Sequence, residues 1–391
     1  MGSYGHRLAG RLGFLRSSTF AKVLRVTTPA LFQPLDVGGL ALANRIVIAP
    51  MCQYSAENGC MTDWHAIHLG SLALSGAAML TIEATAVTPE GRISHGDVGL
   101  WDDATETAMG RVLESVRRWS AMPLAIQLAH AGRKGSSQKP WLGGQQIAPG
   151  APNGWQTLAP SAMPFAPGDT PPLELDRAGM ERIRDAFAAA ARRSARLGYD
   201  GIQLHAAHGY LLHSFLSPLS NQRTDAYGGS PENRMRFPIE VFDAVRAAFP
   251  AERPVSVRVS GTDWVDGGWD IDQTCAFAQA LEARGCGAIN VSSGGADLRQ
   301  NIPVGPSFQV PLARAVKQAV SIPVVAVGLI TGFEQAEAIV GTGDADMVGI
   351  ARTVLYNPRW PWHAAAALGA KVTGPDQYRR SWPRGVGDLF A

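Results

Sequence analysis

Short apolar runs rich in β-branched residues alternate with longer helical patterns along this chain, and that alternation restricts its fold more than any other feature. Eight such runs occur, at residues 45–49, 78–84, 124–128, 201–204, 255–259, 288–291, 324–327 and 346–350. The stretches between them are long enough to return the chain, and residues 176–197 carry apolar positions at helical spacing. Eight units of this kind predict an α/β protein built as a closed (β/α)8 TIM barrel around a parallel sheet.

A doubly wound open sheet is the main alternative for such a pattern. That fold binds its nucleotide on a G-x-G-x-x-G turn after the first strand, and Ala49-Pro50-Met51-Cys52 stands there instead. The length of 391 residues and the hydrophobic content of 46% suffice for one barrel with insertions. We therefore expect a single barrel domain over residues 31–391, with a long loop after its third strand.

The composition restricts the partners and the location of the protein. A formal net charge of +2 gives no concentrated basic face, and no apolar run is long enough to span a bilayer, so we expect neither nucleic acid nor membrane as a partner. Cys52, Cys60, Cys275 and Cys286 are too scattered for a disulfide scaffold, a zinc ribbon or an iron–sulfur cluster. We expect four free thiols, no bound metal, and a reducing, cytoplasmic location.

Residues 1–30 differ in composition from the rest of the chain. They carry Arg7, Arg11, Arg16, Lys22 and Arg25 among serine and leucine, and no acidic residue precedes Asp36. This composition is similar to that of a transit peptide, which would place the protein in an organelle. A basic, disordered extension is the other interpretation, and under either one these residues lie outside the barrel.

Polar or small residues stand directly after several candidate strands, where barrel enzymes carry their chemistry. In chain order they are residues 50–54, Glu83, Ala84, Gln127, Arg258, Gly328, Gly349 and Arg352. The arginine in the fifth strand would need an anionic or electron-rich partner if buried, with a structural salt bridge as the alternative. The glycines and arginine after strands seven and eight suit a phosphate. Residues 133–172, rich in glycine and proline, are expected to border or cover the site.

The stretch His205-Ala206-Ala207-His208-Gly209-Tyr210 follows the fourth strand and is the candidate catalytic centre. Side chains three apart on a continuing strand point to opposite faces, so both imidazoles meet on one atom only if the chain turns here. Gly209 makes that turn easy. Two neutral imidazoles can then donate to one carbonyl oxygen, while a protonated Tyr210 supplies a proton nearby. A structural or metal-binding histidine pair is the alternative.

The chain from about residue 31 to 382 resembles the old yellow enzyme family of flavin-dependent ene-reductases. The resemblance is carried by several motifs in the right order, at residues 50–54, 83–87, 127–133, 205–210 and 220–230. Cys52 and the second histidine, His208, look like the thermophilic-like branch that includes the bacterial xenobiotic reductases. The fungal and plant branch usually differs at both positions.

The resemblance implies FMN bound noncovalently across the barrel mouth, with NAD(P)H as the hydride donor. The implied FMN-binding residues are Ala49, Pro50, Met51, Cys52, Ala84, Gln127 and Arg258 around the ring, with Gly328, Gly349, Ala351 and Arg352 at the phosphate. The implied substrate-side residues are Tyr54, His205, His208, Tyr210 and Trp360. Packing at the start of the last helix is the alternative for the tryptophan.

By the same resemblance, the implied reaction is a ping-pong reduction of the C=C bond of an α,β-unsaturated carbonyl compound. Hydride from flavin N5 would reach the β-carbon, the histidines would hold the carbonyl oxygen, and Tyr210 would protonate the α-carbon. The C-terminal stretch 377–382 resembles a tail that reaches a neighbouring subunit's pocket through an arginine, here aligned with Arg380. That implies a homodimer or homotetramer; Arg379 and an exposed polar tail are the alternatives.

Three other interpretations stay open at the level of sequence. A dienoyl-CoA reductase relative shares the barrel but adds an iron–sulfur cluster, whose closely spaced cysteines this chain lacks. A Schiff-base aldolase would need a lysine at a strand end, and only Lys134 is near one. A non-catalytic or differently specialised flavin-binding barrel would keep the fold without the reaction, because a fold does not determine a function.

Overall fold

The computed structural model describes residues 28–391, and eight of the strands it contains form a closed barrel. The strands are β1 (Leu35–Val37), β2 (Leu40–Leu42), β3 (Ile46–Ile48), β4 (Met79–Ala86), β5 (Leu124–Ala129), β6 (Leu158–Ala159), β7 (Leu173–Glu174), β8 (Gly201–Ala206), β9 (Val255–Ser260), β10 (Ile289–Ser292), β11 (Val324–Ala326) and β12 (Met347–Ile350). Around the barrel the order is β3-β4-β5-β8-β9-β10-β11-β12, and β12 pairs with β3. All these pairs are parallel.

The predicted (β/α)8 barrel is therefore confirmed, and each of the eight predicted strands agrees with a barrel strand to within two residues. The short apolar runs form strands because both faces of a parallel barrel are buried, one against the interior and one against the helices. β-branched residues pack well on such a surface.

Helices follow the strands and cover the outside of the barrel. They are α1 (Asp63–Ala73), α2 (Asp103–Arg117), α3 (Arg177–Arg196), α4 (Leu211–Leu216), α5 (Pro231–Ala248), α6 (Ile271–Glu282), α7 (Val310–Ala319), α8 (Phe333–Gly341), α9 (Arg352–Tyr356) and α10 (Trp360–Leu368). The sequence pattern at 176–197 is confirmed as α3, where Asp176 accepts a hydrogen bond from Gly179 N and caps the helix. The helix start at Ser230-Pro231 is confirmed as the N-cap and first residue of α5.

The sequence patterns missed two short strand pairs. β1 and β2 form an antiparallel hairpin whose Val37 and Leu42 pack against Val47 and Met347, so the hairpin closes the end of the barrel where the strands begin. β6 and β7 pair in parallel beside the long loop. Their two and three residues are too few for a recognisable alternation, and the contacts that pair them are tertiary.

β4 contains a bulge at Glu83. Ile82 lies opposite Ile126 on β5, and Ala84 lies opposite Gln127, so Glu83 is an extra residue in the ladder. Its carboxylate accepts a hydrogen bond from the backbone N–H of Gln53 (2.8 Å). Burial raises the pKa of Glu83 to about 8, although the Gln53 N–H lowers it, so the carboxyl is mostly protonated at neutral pH.

Two predictions about composition can be compared with the described residues. Cys52, Cys60, Cys275 and Cys286 are all free thiols, as expected. Across residues 28–391, no helix combines the length and the apolar character that crossing a membrane requires. The predicted extension at residues 1–30 lies almost wholly outside the described residues. Where the description begins, Ala30 and Leu31 donate their backbone N–H groups to Glu337 on α8.

Candidate active site

Two histidines and a tyrosine converge just after the end of β8. The strand ends at Ala206, and the chain then turns through His208 (φ 61°) and Gly209 (φ 73°). The turn brings His205 Nε2 and His208 Nδ1 to 3.4 Å from each other, with perpendicular rings. The Tyr210 ring lies 4.9 Å from the His205 ring. The predicted turn and the predicted meeting of the imidazoles are both present in the structure.

Both imidazoles are neutral at neutral pH. Burial lowers the pKa of His205 and of His208 well below the ordinary 6.5, and the nearby Arg258 guanidinium lowers both further. Burial raises the pKa of the Tyr210 phenol well above 10, so this group keeps its proton. The site therefore offers neutral N–H donors and a phenolic O–H, and no group with a full charge among these three.

The hydrogen bonds on the far sides of the rings decide which nitrogens carry protons. His205 Nδ1 accepts from the backbone N–H of Ala207 (3.3 Å), so the neutral ring carries its proton on Nε2. His208 Nε2 lies 2.7 Å from Ser292 Oγ. Ser292 has a single hydroxyl hydrogen, and its contact with His208 is shorter than its contact with the other acceptor, Gln309 Oε1 (3.3 Å). When Ser292 donates to His208 Nε2, His208 carries its proton on Nδ1. His205 Nε2 and His208 Nδ1 then both present N–H groups to one small space, which suits a carbonyl oxygen.

The mouth of the barrel contains a buried nitrogen without a partner. Arg258 on β9 lies opposite His205 in the strand register, and its Nε has no hydrogen-bond acceptor among the described residues. Burial lowers the pKa of this guanidinium to about 10, so it stays charged at neutral pH. A buried, charged guanidinium with an unpaired N–H is stabilised when an electron-rich ligand binds beside it. Burial, with Asp97 and Glu83, raises the pKa of the Cys52 thiol well above its ordinary value, so the thiol is neutral.

A cavity of about 290 Å³ extends from Arg258 to the start of α9. Five of the predicted FMN-binding residues besides Arg258 line it, and these are Ala49, Gly328, Gly349, Ala351 and Arg352. A Cβ on Gly328 (φ 112°) would lie 2.7 Å from Gln309 Nε2, and a Cβ on Gly349 would lie 2.8 Å from Val327 Cγ1. Both positions therefore have no room for a side chain, and together with the exposed Arg352 they form a cradle that fits a phosphate.

The remaining predicted ring-side residues surround the same mouth. Ala49 donates its N–H to Ile350 O (3.0 Å), which ties the segment 49–52 to the end of β12. Gln127 donates to Gln203 Oε1 (2.7 Å) between neighbouring strands, so both amides are buried and oriented. Ala84 lies opposite Gln127 because of the bulge. Pro50, Met51 and Cys52 follow β3 at the same end of the barrel. An orphan guanidinium nitrogen and a glycine cradle in one cavity fit a planar cofactor with a phosphate tail.

A second cavity, of about 320 Å³, lies between this mouth and the long loop. Tyr54 and Tyr210 line it together with Lys134 and Phe165. Lys134 Nζ lies 4.6 Å from the Phe165 ring and 5.1 Å from the Tyr210 ring. The structure therefore brings two predicted substrate-side residues to one cavity, and the long loop borders it as expected.

Two predicted substrate-side residues lie elsewhere. Trp360 is buried between α8 and α10, where it packs against Phe333 and donates from Nε1 to Thr331 O (2.8 Å). Because the indole is buried and its N–H is satisfied by the backbone, within one subunit the structure gives Trp360 the packing role that was the alternative. Arg380 is exposed on the C-terminal tail, and the neighbouring Arg379 pairs with Asp376 at 2.8 Å.

Sequence reasoning missed three residues that the structure places at the site. Gln309 lines the phosphate cavity and accepts from Ser293 Oγ (2.6 Å). The sequence indicates only an aldolase role for Lys134, yet its ammonium donates to the backbone carbonyls of His208 and Gly295. Phe165 lies in a stretch without periodicity. Lys134 and Phe165 do lie in the stretch 133–172 that is expected to border the site, but no local pattern identifies either residue or Gln309, because each reaches the site through contacts distant in the chain.

Comparison with known proteins agrees with this geometry. The model of the "NADH:flavin oxidoreductase / NADH oxidase family" matches residues 30–370. An "NADPH dehydrogenase" of Geobacillus thermodenitrificans is 42% identical over 354 residues, which cover 90% of this chain and 98% of that protein.

Two solved structures show the same likeness. Morphinone reductase in complex with tetrahydroNAD is 29% identical, with a TM-score of 0.71, over 92% of this chain and 96% of that one. The old yellow enzyme homologue from Zymomonas mobilis is 27% identical, with a TM-score of 0.71, over 88% and 94%. The chain therefore belongs to the NADH:flavin oxidoreductase / NADH oxidase family, which includes the old yellow enzymes, and is an NAD(P)H-dependent flavin oxidoreductase.

Proposed function

We propose that the protein is an FMN-dependent ene-reductase, which reduces the C=C bond of α,β-unsaturated carbonyl compounds with NAD(P)H in a ping-pong mechanism. The observation that carries the proposal is the convergence of His205 Nε2 and His208 Nδ1, 3.4 Å apart, in buried and neutral rings. A carbonyl oxygen that gains negative charge during reduction is the group that two such donors stabilise best.

The chemistry that a bound flavin supplies is hydride transfer, from the nicotinamide in one half-reaction and to the β-carbon of the alkene in the other. His205 and His208 hold the substrate carbonyl oxygen, and their N–H groups stabilise the enolate that forms on it. Removing one such donor in a site that excludes water typically raises the barrier by about 3 kcal/mol, roughly a hundredfold in rate. Tyr210 keeps its proton because its pKa is raised, and delivers it to the α-carbon.

FMN is the flavin that this chain's residues would hold. Gly328, Gly349, Ala351 and Arg352 would bind one phosphate, and Arg258 would lie beside the electron-rich pyrimidine side of the ring. Its positive charge would stabilise negative charge on that side of the ring. Cys52, whose thiol is neutral because its pKa is raised, would lie close to the ring and would influence its reduction potential without forming a bond. Tyr54 and Tyr210 then line the space left for the enone.

The experiment that tests the proposal follows the visible spectrum of the purified protein without oxygen, first after NADPH and then after 2-cyclohexenone. A yellow protein that bleaches with NADPH and regains its colour with the enone carries out both half-reactions. Recovery of the colour with oxygen but not with the enone would leave a flavin oxidoreductase and exclude the ene-reductase. Phosphodiesterase-resistant flavin released on denaturation identifies FMN, whereas cleavable flavin would identify FAD.

A further inference from the structure

The turn that carries His208 has an unusual backbone. His208 and Gly209 are consecutive residues with φ of 61° and 73°, and residues other than glycine rarely adopt this backbone conformation. A Cβ on Gly209 would overlap the carbonyl oxygen of Gly295 and lie 2.8 Å from Ala296 Cα. The direction of the His208 side chain follows from this backbone, so the histidine meets His205 only while the left-handed conformation is held.

Side chains from three parts of the chain hold all four backbone polar groups of the two residues. The His208 N–H donates to Ser260 Oγ at the end of β9 (3.0 Å), and Lys134 Nζ donates to the His208 carbonyl (2.8 Å). The Gly209 N–H donates to His213 Nδ1 (2.8 Å), and Ser214 Oγ donates to the Gly209 carbonyl (3.0 Å). A strained conformation persists when its surroundings determine it in this way.

The His213 contact differs from the other three because it continues to a buried carboxylate. His213 and Asp263 have side chains that are 0% exposed, and His213 Nε2 lies 3.1 Å from Asp263 Oδ1. Since Nδ1 accepts from Gly209, the neutral ring carries its proton on Nε2, facing the carboxylate. Asp263 Oδ2 accepts from Ser217 Oγ (2.6 Å) and from the Trp269 N–H (2.8 Å). Oδ2 is therefore hydrogen-bonded twice, whereas Oδ1 makes no well-angled hydrogen bond among residues 28–391 and has a close polar contact with His213 Nε2 at 3.1 Å.

The pair lies behind the turn, with His213 on α4 and Asp263 after the end of β9, and both side chains are 0% exposed. Burial tends to raise the pKa of Asp263, but His213 and the hydrogen bonds from Ser217 and Trp269 hold it below its ordinary value. An ionised aspartate fixes the imidazole in rotation and tautomer, as carboxylates do for histidines that bind metals or act as bases. Because the ring is held in one orientation, its Nδ1 accepts the hydrogen bond from the Gly209 N–H in one fixed position.

We propose that His213 and Asp263 are positioning residues for the reductive chemistry, which hold the His208–Gly209 turn so that His208 Nδ1 meets the substrate oxygen. This inference rests on the proposed function, because it names what supports the oxyanion donor. Loss of the pair lets the turn relax toward ordinary backbone angles and moves the His208 ring away from His205. Displacement of a catalytic group by about 1 Å costs up to about a hundredfold in rate.

The variants separate positioning from packing. His213→Leu removes the acceptor at similar volume. His213→Asn returns an oxygen acceptor near the position of Nδ1, where the Gly209 N–H needs one, although its amide nitrogen does not reach Asp263 as Nε2 does. Asp263→Asn keeps the shape of the side chain but removes one acceptor oxygen from the group that faces His213, Ser217 and the Trp269 N–H. It is the second test of the pair if His213→Leu does not fold. Phe187→Leu, in the buried face of α3, is the control for a loss of stability that leaves the turn intact.

The first measurement is amide hydrogen exchange across residues 207–212 of the flavin-loaded protein. We expect exchange to rise about tenfold or more in His213→Leu and Asp263→Asn, to return toward the wild-type rate in His213→Asn, and to stay unchanged in Phe187→Leu. Wild-type exchange in His213→Leu would overturn the proposal. This measurement does not depend on any turnover, so it decides the matter even if the wild-type protein does not reduce enones.

The second measurement is reoxidation of the dithionite-reduced protein by 2-cyclohexenone and, separately, by oxygen. We expect the limiting rate with the enone to fall about 10- to 100-fold in His213→Leu and Asp263→Asn. His213→Asn should recover most of this rate, and the rate with oxygen should stay within about twofold, because oxygen needs no carbonyl donor. An equal loss with both oxidants would mean a structural role and would refute positioning. Failure of the wild-type protein with the enone would instead refute the proposed function.

Discussion

His205 and His208 are useful as donors because burial and Arg258 keep both rings neutral. An imidazole with the ordinary pKa of about 6.5 would go from about one-quarter to about three-quarters protonated between pH 7 and pH 6. Because both pKa values are lowered, protonation should begin only at more acid pH. We expect the rate of enone-driven reoxidation to change by less than twofold between pH 7 and pH 6, measured by stopped flow. A threefold fall would mean that at least one ring titrates normally.

Removal of either donor should separate cofactor binding from turnover. In His205→Ala or His208→Ala the flavin cavity keeps Arg258, Gly328 and Gly349, so we expect a flavin content like that of the wild-type protein. The loss of one N–H to the oxyanion should raise the barrier by about 3 kcal/mol and lower enone turnover roughly a hundredfold. Flavin absorbance and steady-state rates with 2-cyclohexenone measure the two effects. Full turnover in both variants would contradict the oxyanion role.

Tyr210→Phe should affect one half-reaction more than the other. The phenol gives a proton only after hydride has reached the alkene, so we expect the oxidative half-reaction to slow by about 10- to 100-fold. Reduction of the flavin by NADPH involves no such proton and should change little. Stopped-flow rates for the two half-reactions provide the comparison. An unchanged oxidative rate would show that water or another residue protonates the α-carbon.

Local sequence was sufficient for some site residues and insufficient for others. His205, His208 and Tyr210 lie within six positions, and Gly209 between them indicates the turn, so the convergence could be predicted. The partners that hold the turn could not. Lys134 and His208 are 74 positions apart, and Asp263 is 46 positions from Ser217. Only the closed barrel brings the loops after different strands together, and no local pattern encodes that meeting.

At the scale of elements, the barrel strands could be predicted from local sequence, whereas the shorter strand pairs could not. Each barrel strand is short and largely buried, and most are apolar runs that contain β-branched residues, so they can be recognised in the sequence. β1 and β2 form strands because Val37 and Leu42 pack against apolar residues at the base of the barrel. β6 and β7 pair only because the long loop folds back on itself. Tertiary contacts therefore determine these elements, and propensity does not.

The long loop should influence substrate binding more than chemistry. Phe165 covers the Lys134 ammonium at 4.6 Å and lines the second cavity. Loss of this contact in Phe165→Ala, worth about 1 kcal/mol, should raise KM for 2-cyclohexenone by roughly fivefold with kcat nearly unchanged. Leu173→Ala, an exposed position on β7, is the matched control. An unchanged KM in Phe165→Ala would exclude the loop from the substrate site.

At the scale of the whole molecule, we propose a homodimer or homotetramer in which Arg380 reaches the site of a neighbouring subunit. Arg379 pairs with Asp376, whereas Arg380 has no ion-pair partner among residues 28–391 and is exposed. We expect sedimentation to show an oligomer and Arg380→Ala to raise KM for the enone several-fold, because a charge-assisted hydrogen bond to substrate is typically worth about 1 kcal/mol or more.

Mixed oligomers test whether the arginine acts across subunits. Arg380→Ala subunits mixed with His208→Ala subunits form pairs in which an intact histidine site receives Arg380 from its neighbour. Such mixtures should regain a low KM in a fraction of their sites. A monomer in sedimentation, or no recovery on mixing, would contradict the assignment.

The bulge at Glu83 has a consequence for how this barrel tolerates insertions and deletions. Along β4 the side chains alternate between lumen and wall, and Met79 belongs to the lumen. With strict alternation, the side chain of Glu83 would point into the lumen opposite Gln127. Because the bulge adds one residue, Ala84 occupies that position instead. A deletion elsewhere in β4 would exchange lumen and wall over the rest of the strand. Loss of residue 83 alone would remove the irregularity, keep a methyl group at the mouth, and leave the phase of every other side chain intact.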